Sequence, residues 1–347
     1  MIKNSSKKFK ELITKKTVLV GEIGQAHDGS LNIAHSFIDV CADLGLDVVK
    51  FQTHYAEEES TIDEPFRVKF SFKDKKRFNY WKRMEFTPKE WKGLYTHARS
   101  RGLMFMSSVF SKKAFRIINS FDVCAWKVAS GEISNFNLIS DIIKTKKTII
   151  VSTGLSNNKE INNLVKYLKQ KKANFVLLQC TSTYPTKLEE IGCNVVDKFK
   201  KKYKCLVGLS DHSGTIFPSI YGICNNYNLL EFHITFDKKM FGPDSYSSLD
   251  INQVKELMDI KQNIEILKNN PVNKDKIFNK IKNTKKIFTK SVCLKEPQKK
   301  GYIIKSEDLV LKKPGNGIST QNFSKILGKK LKKNKSNLEL LKLSDLI

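Results

Sequence analysis

Apolar residues in this chain gather in short unbroken runs, separated by longer stretches in which they recur every three or four positions. The runs are VLVGEIG (18–24), DVVKFQT (47–53), LMFMSSVF (103–110), AWKVASGE (125–132), TIIVSTG (148–154), FVLLQCTSTYP (175–185), CLVGLSDHS (205–213) and LLEFHITFD (229–237). Continuous rather than alternating hydrophobicity over that length indicates strands buried on both faces, as in parallel sheets. The intervening segments LNIAHSFIDVCADLG (31–45), PKEWKGLYTHARSRG (88–102) and NNKEINNLVKYLKQKK (157–172) carry helical spacing, and SLDINQVKELMDIKQNIEILK (248–268) follows the eighth run. Eight strand–helix repeats in about 255 residues predict an α/β fold of the (β/α)8 TIM-barrel type. A doubly wound nucleotide-binding sheet would place GxGxxG after an early strand, and GEIGQAHDG (21–29) lacks that spacing.

After Asn269-Asn270-Pro271 the pattern changes. We expect an N-terminal extension over 1–16, the barrel over 17–270, a Lys/Asn-rich linker over 271–285 and a small β-rich domain over 286–347. A domain of that size barely sustains its own core, so it is expected to dock on something. Segment 54–87 shows little regular pattern and reads as a lid or binding loop. It holds Arg67, Arg77 and Arg83 beside Tyr80 and Trp81.

The formal net charge of +27 raises nucleic acid or a membrane as partners. Only six of the 62 basic residues are Arg, the side chain suited to base and phosphate forks, and no zinc-finger or RNA motif appears. Neither partner is therefore expected. The seven Cys form no CxxC pair and several sit inside apolar runs, which favours a reducing, cytoplasmic setting. No signal peptide or membrane span is read from the sequence.

In such a barrel the C-terminal strand ends converge on one site. Here they carry Glu22, then Lys50 and Gln52, Ser107 and Ser108, and Lys127 with Ser130 and Glu132. Ser152 and Thr153, Ser182 and Tyr184, Ser210 and His212, and Glu231 and His233 complete the ring. His212 and His233 lie one strand–helix step apart, so two imidazoles on neighbouring strands could share a divalent metal with water or a substrate oxygen. Asp211 and Glu231 are candidates to support them. Lys50 and Lys127 among serine hydroxyls suggest a site for an anion.

With those residues in place, the chain resembles the sialic acid (N-acetylneuraminate) synthase family. The matching stretches are GEIGQAHDG (21–29), VVKFQTH (48–54), FMSSVFS (105–111), WKVASGE (126–132), VSTG (151–154), CTSTYPT (180–186), GLSDHSG (208–214), EFHITFD (231–237), GPD (242–244) and KKPGNGIS (312–319). The resemblance implies an antifreeze-like (SAF) domain at the C-terminus and condensation of phosphoenolpyruvate with N-acetylmannosamine or a related amino sugar, releasing phosphate. It implies His212 and His233 as ligands of Mn2+ or Mg2+. It places Lys50, Ser108, Lys127, Ser130, Ser152, Ser182 and Ser210 on phosphoenolpyruvate. Glu22, Gln52, Glu132 and Glu231 fall at catalytic positions, with Glu132 handling the water, and Tyr184, Asp244 and Lys313 at the sugar.

The same family implies a domain-swapped homodimer, with Lys313 reaching the partner's site. Lys313 stands where the family usually has Arg, Ser182 and Ala26 where Asn is common, and Val109 where Pro is common. These departures bear on which sugar is used. A legionaminic- or pseudaminic-type or phosphorylated acceptor is one alternative, and a non-catalytic binding protein on the same scaffold another.

Overall fold

The computed structural model describes residues 4–347. Helix α1 spans Ser5–Lys15, and the chain then alternates strand and helix. The strands are β1 (Val18–Gly24), β2 (Val48–Thr53), β3 (Met104–Val109), β4 (Ala125–Val128), β5 (Thr148–Ser152), β6 (Phe175–Cys180), β7 (Leu206–Asp211) and β8 (Leu229–Thr235). Between β1 and β3 lie α2 (Leu31–Asp43), α3 (Ala56–Glu59), α4 (Arg77–Met84) and α5 (Pro88–Ser100). Then come α6 (Lys112–Asn119), α7 (Phe136–Lys144), α8 (Asn158–Gln170), α9 (Cys193–Tyr203) and α10 (Phe217–Cys224). A two-residue β9 (Leu249–Asp250) leads into α11 (Ile251–Asn269), followed by α12 (Lys274–Phe288), β10 (Ser291–Leu294) and β11 (Leu309–Lys312).

Strands β1 to β8 pair in parallel in sequence order, and β1 also pairs with β8, which closes the barrel. Side-chain alternation along each strand explains both the unbroken apolar runs and the polar ends. Inward positions Val18, Val20, Val48, Met104, Met106, Ile150, Val176, Leu178 and Leu229 form one cluster filling the barrel. Outward positions Leu19, Val49, Phe105, Ile149, Leu177, Val207 and Leu230 pack under the helices. Gly208 is required where it sits, because a Cβ there would come within 2.0 Å of the Leu229 carbonyl oxygen on β8.

Two segments to which the sequence reading assigned no element are helical. The N-terminal extension is helical, and its Phe9 and Ile13 join the barrel-filling cluster, each worth about 1.5–3 kcal/mol of burial. Most of the segment expected as a Lys/Asn-rich linker, 271–285, lies within α12. Asn273 accepts from the Asp275 and Lys276 backbone N–H groups, Asp275 stands in the first turn, and Lys285 and Lys286 in the last. Those cap and dipole contacts outweigh a composition that reads as linker. One compact unit runs to Ile266 and a second covers Leu267–Ile347. In the second, β10 and β11 form an antiparallel pair over a small core that includes Val292, Leu294, Ile304, Ile326 and Leu341.

Candidate active site

Strand register decides what meets at the C-terminal mouth of the barrel. Glu22 is level with Lys50 on one side and His233 on the other, Ser108 with Gln52 and Lys127, and Ser210 with Glu231. In parallel strands level residues point to the same face. Each of these continues an inward row whose earlier members are apolar, as in Val48, Lys50 and Gln52. The polar layer is the top layer of the barrel interior.

That layer opens into a cavity of 460 Å3. Lys50, 2% exposed, touches the Glu22 carboxylate, lies 3.3 Å from Ser108 Oγ and 3.7 Å from Glu231 Oε1. The Lys127 ammonium contacts Glu231, which also accepts from Ser210 Oγ at 3.1 Å. Burial drives the Lys50 ammonium down to about 7, against the pull of Glu231. Burial alone would raise Glu231, but Lys127 and Lys50 outweigh it and hold the carboxyl at about 2. Ser152 Oγ, on the inward face of β5, is buried with no hydrogen-bond partner among the described residues. Ser130 Oγ accepts from the Gly154 N–H at 3.1 Å, and Ser182 Oγ lies 3.9 Å from Cys180 Sγ.

On the same cavity wall the His212 and His233 ring centroids lie 5.4 Å apart. Burial lowers both to about 3, reinforced at His212 by His233 and at His233 by Lys50, so both imidazoles are neutral. His212 Nδ1–H donates to the Thr181 carbonyl at 3.0 Å, leaving the Nε2 lone pair 3.2 Å from the Tyr184 hydroxyl. A neutral imidazole with its other nitrogen anchored to a carbonyl is the state that ligates a metal. No group of three or more His, Cys, Asp or Glu side chains is arranged around a common point among the described residues. Two nitrogens are therefore what the protein would offer, with water or substrate oxygens for the rest. Asp211, expected to support them, does not line the cavity: its buried carboxyl accepts from the Ser213 N–H and hydroxyl, and burial raises it to about 6 against those bonds.

Asp244 Oδ2 is 4.0 Å from His233 Nδ1. Its Oδ1 accepts from Arg67 at 2.6 Å, and the Arg67 guanidinium lies 4.0 Å from the Tyr184 ring centroid. Glu132 lines the cavity and accepts from Asn135 Nδ2 at 2.8 Å. Gln52 also reaches the cavity wall. One predicted site residue stands off the cavity. Glu22 is fully buried behind Lys50 and does not line the cavity. Lys313 belongs to the second unit, exposed, with its ammonium 5.3 Å from the Phe288 ring centroid.

Segment 54–87 forms cavity wall. Ala56, Tyr80, Trp81 and Met84 make a small core, and His54, Glu59, Glu64, Arg67, Tyr80 and Trp81 all reach the cavity. The sequence signal for these was the concentration of Arg and aromatic residues in one long connection. It gave no means of assigning partners to them.

Residues 37–273 match the NeuB family and residues 289–347 the SAF domain. The chain is 32% identical to N,N'-diacetyllegionaminic acid synthase of Campylobacter jejuni, covering 94% of this chain and 99% of the relative. It is 30% identical to pseudaminic acid synthase of the same species, covering 95% of this chain and 97% of the relative. Among solved structures it resembles N-acetylneuraminic acid synthetase from Leptospira borgpetersenii in complex with citrate. That likeness has a TM-score of 0.67 and 25% identity, over 78% of this chain and 92% of the other.

Proposed function

Because the chain belongs to the NeuB family of phosphoenolpyruvate-condensing synthases, we propose that it is a nonulosonic acid synthase acting on an N-acylated amino sugar. The acceptor is N-acetylmannosamine or its legionaminic- or pseudaminic-type diamino counterpart. C3 of phosphoenolpyruvate forms the new bond to C1 of the open-chain aldehyde, water adds at C2, and the C2–O bond to phosphate breaks, releasing inorganic phosphate. The observation that carries this reading is the buried pair Lys50 and Lys127 lining one cavity with Ser152, a hydroxyl that no described protein group satisfies.

Lys50 and Lys127, with Ser108, Ser130, Ser152, Ser182 and Ser210, hold the phosphate and carboxylate through charge-assisted hydrogen bonds. Glu22 keeps the Lys50 ammonium in place from behind. Glu231 orients Lys127 through their contact. Glu132, fixed by Asn135, is placed to take a proton from the attacking water. Gln52, Tyr184 and Asp244 position the sugar. A divalent cation, manganese or magnesium, held by His212 and His233 would polarise the sugar aldehyde.

The same reading makes the protein a cytoplasmic homodimer in which Lys313 serves the partner's sugar site. The seven free cysteines suit a reducing compartment, and no described helix is long and apolar enough to cross a membrane.

Phosphate release from phosphoenolpyruvate, measured with a panel of N-acylated mono- and diamino sugars, tests the activity. Turnover is expected with at least one, lost on chelation and restored by Mn2+ or Mg2+. No release with any amino sugar, but release with a simple aldose phosphate, would overturn it. Turnover that survives chelation would overturn the metal assignment, and a monomer in sedimentation the dimer.

A further inference from the structure

We propose that His54 is a positioning residue that ties the α3–α4 segment to the carboxamide of Gln52, and so fixes how Gln52 meets the acceptor sugar. The inference rests on the reading above in taking Gln52 to face the sugar.

His54 follows β2 directly and is 5% exposed. Its ring is clamped from both faces. Trp81 of α4 stacks at a centroid distance of 4.2 Å and 26°, and Phe110 at 4.4 Å and 13°. In the ring plane both nitrogens are engaged. Nδ1 lies 2.8 Å from Glu59 Oε1 on α3, and Nε2 lies 3.1 Å from Gln52 Oε1. Stacking fixes the tilt and the two polar contacts fix the rotation, so the imidazole has one orientation.

Gln52 Oε1 is held from its other side by Gln25 Nε2 at 3.1 Å, and Gln25 Oε1 accepts from the Tyr80 hydroxyl at 3.3 Å. Helix α4 therefore reaches Gln52 by two routes, through Trp81 and His54 and through Tyr80 and Gln25. Trp81 is itself anchored, its indole N–H donating to Glu64 Oε2 at 2.9 Å. The Gln52 oxygen accepts from Gln25 Nε2 and faces His54 Nε2, so its amide N–H donors are left for the cavity. None of the described residues accepts from them. An oxygen of the bound sugar is the acceptor that completes them, and its placement then depends on His54.

The test compares His54→Phe, which keeps the stack and removes both in-plane contacts, with Gln52→Ala and the double variant. Steady-state constants are measured separately for sugar and phosphoenolpyruvate. His54→Phe is expected to lower kcat/KM for the sugar about ten- to a hundredfold, with KM for phosphoenolpyruvate changed by less than about twofold. Added to Gln52→Ala it should cost nothing further, because the two act as one unit. Glu59→Gln weakens only the Nδ1 contact. It is expected to show the same substrate split at about threefold, and serves where His54→Phe does not fold.

Equal losses for both substrates, or multiplicative effects in the double variant, would overturn the proposal. A crystal structure of His54→Phe gives a readout independent of turnover. A Gln52 carboxamide in its original orientation would sink the positioning role even for a chain active on an amino sugar. A displaced carboxamide in a chain inactive on every sugar would leave the positioning intact and count against the proposed function.

Discussion

Replacing Ser152 by alanine should move stability and substrate affinity in opposite directions. Ser152 Oγ is buried with no described partner, and an unsatisfied buried hydroxyl costs about 1–3 kcal/mol. A cavity water can supply part of that bond in the free protein, so deletion is expected to stabilise the ligand-free chain by about 1 kcal/mol. For a chain of this size that is about 1–2 °C in Tm. With phosphoenolpyruvate bound the hydroxyl would donate to an anion, a bond worth about 1.5–3 kcal/mol. Losing it should raise KM for phosphoenolpyruvate about ten- to a hundredfold while KM for the sugar stays put.

Ser130→Ala provides the contrast. Its Oγ accepts from the Gly154 N–H, and deletion leaves that partly buried donor unpaired, so the free protein should lose about 0.5–1.5 kcal/mol. Thermal unfolding without ligand and initial rates at varied phosphoenolpyruvate read both effects. A Ser152→Ala chain that is less stable than its parent, or that binds phosphoenolpyruvate unchanged, would refute the claim that this hydroxyl is reserved for ligand.

Three other outcomes follow from buried charge. Glu231→Gln leaves Lys127 and Lys50 without their shared carboxylate, and urea unfolding should show a loss of about 3 kcal/mol; a loss under about 1 kcal/mol would contradict the pairing. Lys50 titrates near 7 in the free protein and binds an anion only when protonated. The pH profile of kcat/KM for phosphoenolpyruvate should therefore fall as pH rises through about 7, and a flat profile there would reject the role. Asp345 in the second unit is buried; burial opposes its charge, but Lys335, the Lys342 N–H and Lys333 together hold its carboxyl below the usual range. That contribution is present above the unfolded pKa of about 4 and lost as pH falls through the lower folded value. Hydrogen-exchange protection factors over 289–347, corrected for the intrinsic slowing of exchange in acid, should fall on acidification, and in Asp345→Asn they should already be reduced at neutral pH.

The barrel was legible because its strands are buried on two faces, and the polar residues at their ends broke that rule together. Along β8, Leu229, Glu231 and His233 share the inward row, so a periodicity of two already puts the last two in the top layer. The row does not tell depth. Glu22 and Lys50 are level across β1 and β2, yet Glu22 lies behind the ammonium, because one long side chain covers a shorter one. Helix α1 escaped notice since a short Lys-rich segment shows its purpose only when Phe9 and Ile13 meet the open end of the barrel. The wall built by 54–87 was hidden for a related reason. His54, Glu59 and Trp81 acquire partners only when the segment folds back on β2.

Charge balance at the mouth ties the proposed metal to the anion. Lys50 faces Glu22 and Glu231, Lys127 contacts Glu231, and Arg67 pairs with Asp244, so the ammonium and guanidinium groups nearest the cavity are already matched by carboxylates. A phosphate and a carboxylate entering such a site add negative charge to a balanced cluster, in surroundings too dry to screen it. Hydroxyl dipoles offset part of that cost, and a divalent cation at His212 and His233 would offset the rest. Phosphoenolpyruvate and metal should therefore bind with positive coupling, each tightening the other by the same factor, about tenfold or more. Calorimetric titration of phosphoenolpyruvate with and without Mn2+, and of Mn2+ with and without phosphoenolpyruvate, measures both arms of the cycle. Equal phosphoenolpyruvate affinity in Mn2+ and in chelator would mean that lysines and serines suffice for the anion, and that the two imidazoles serve only to orient Tyr184.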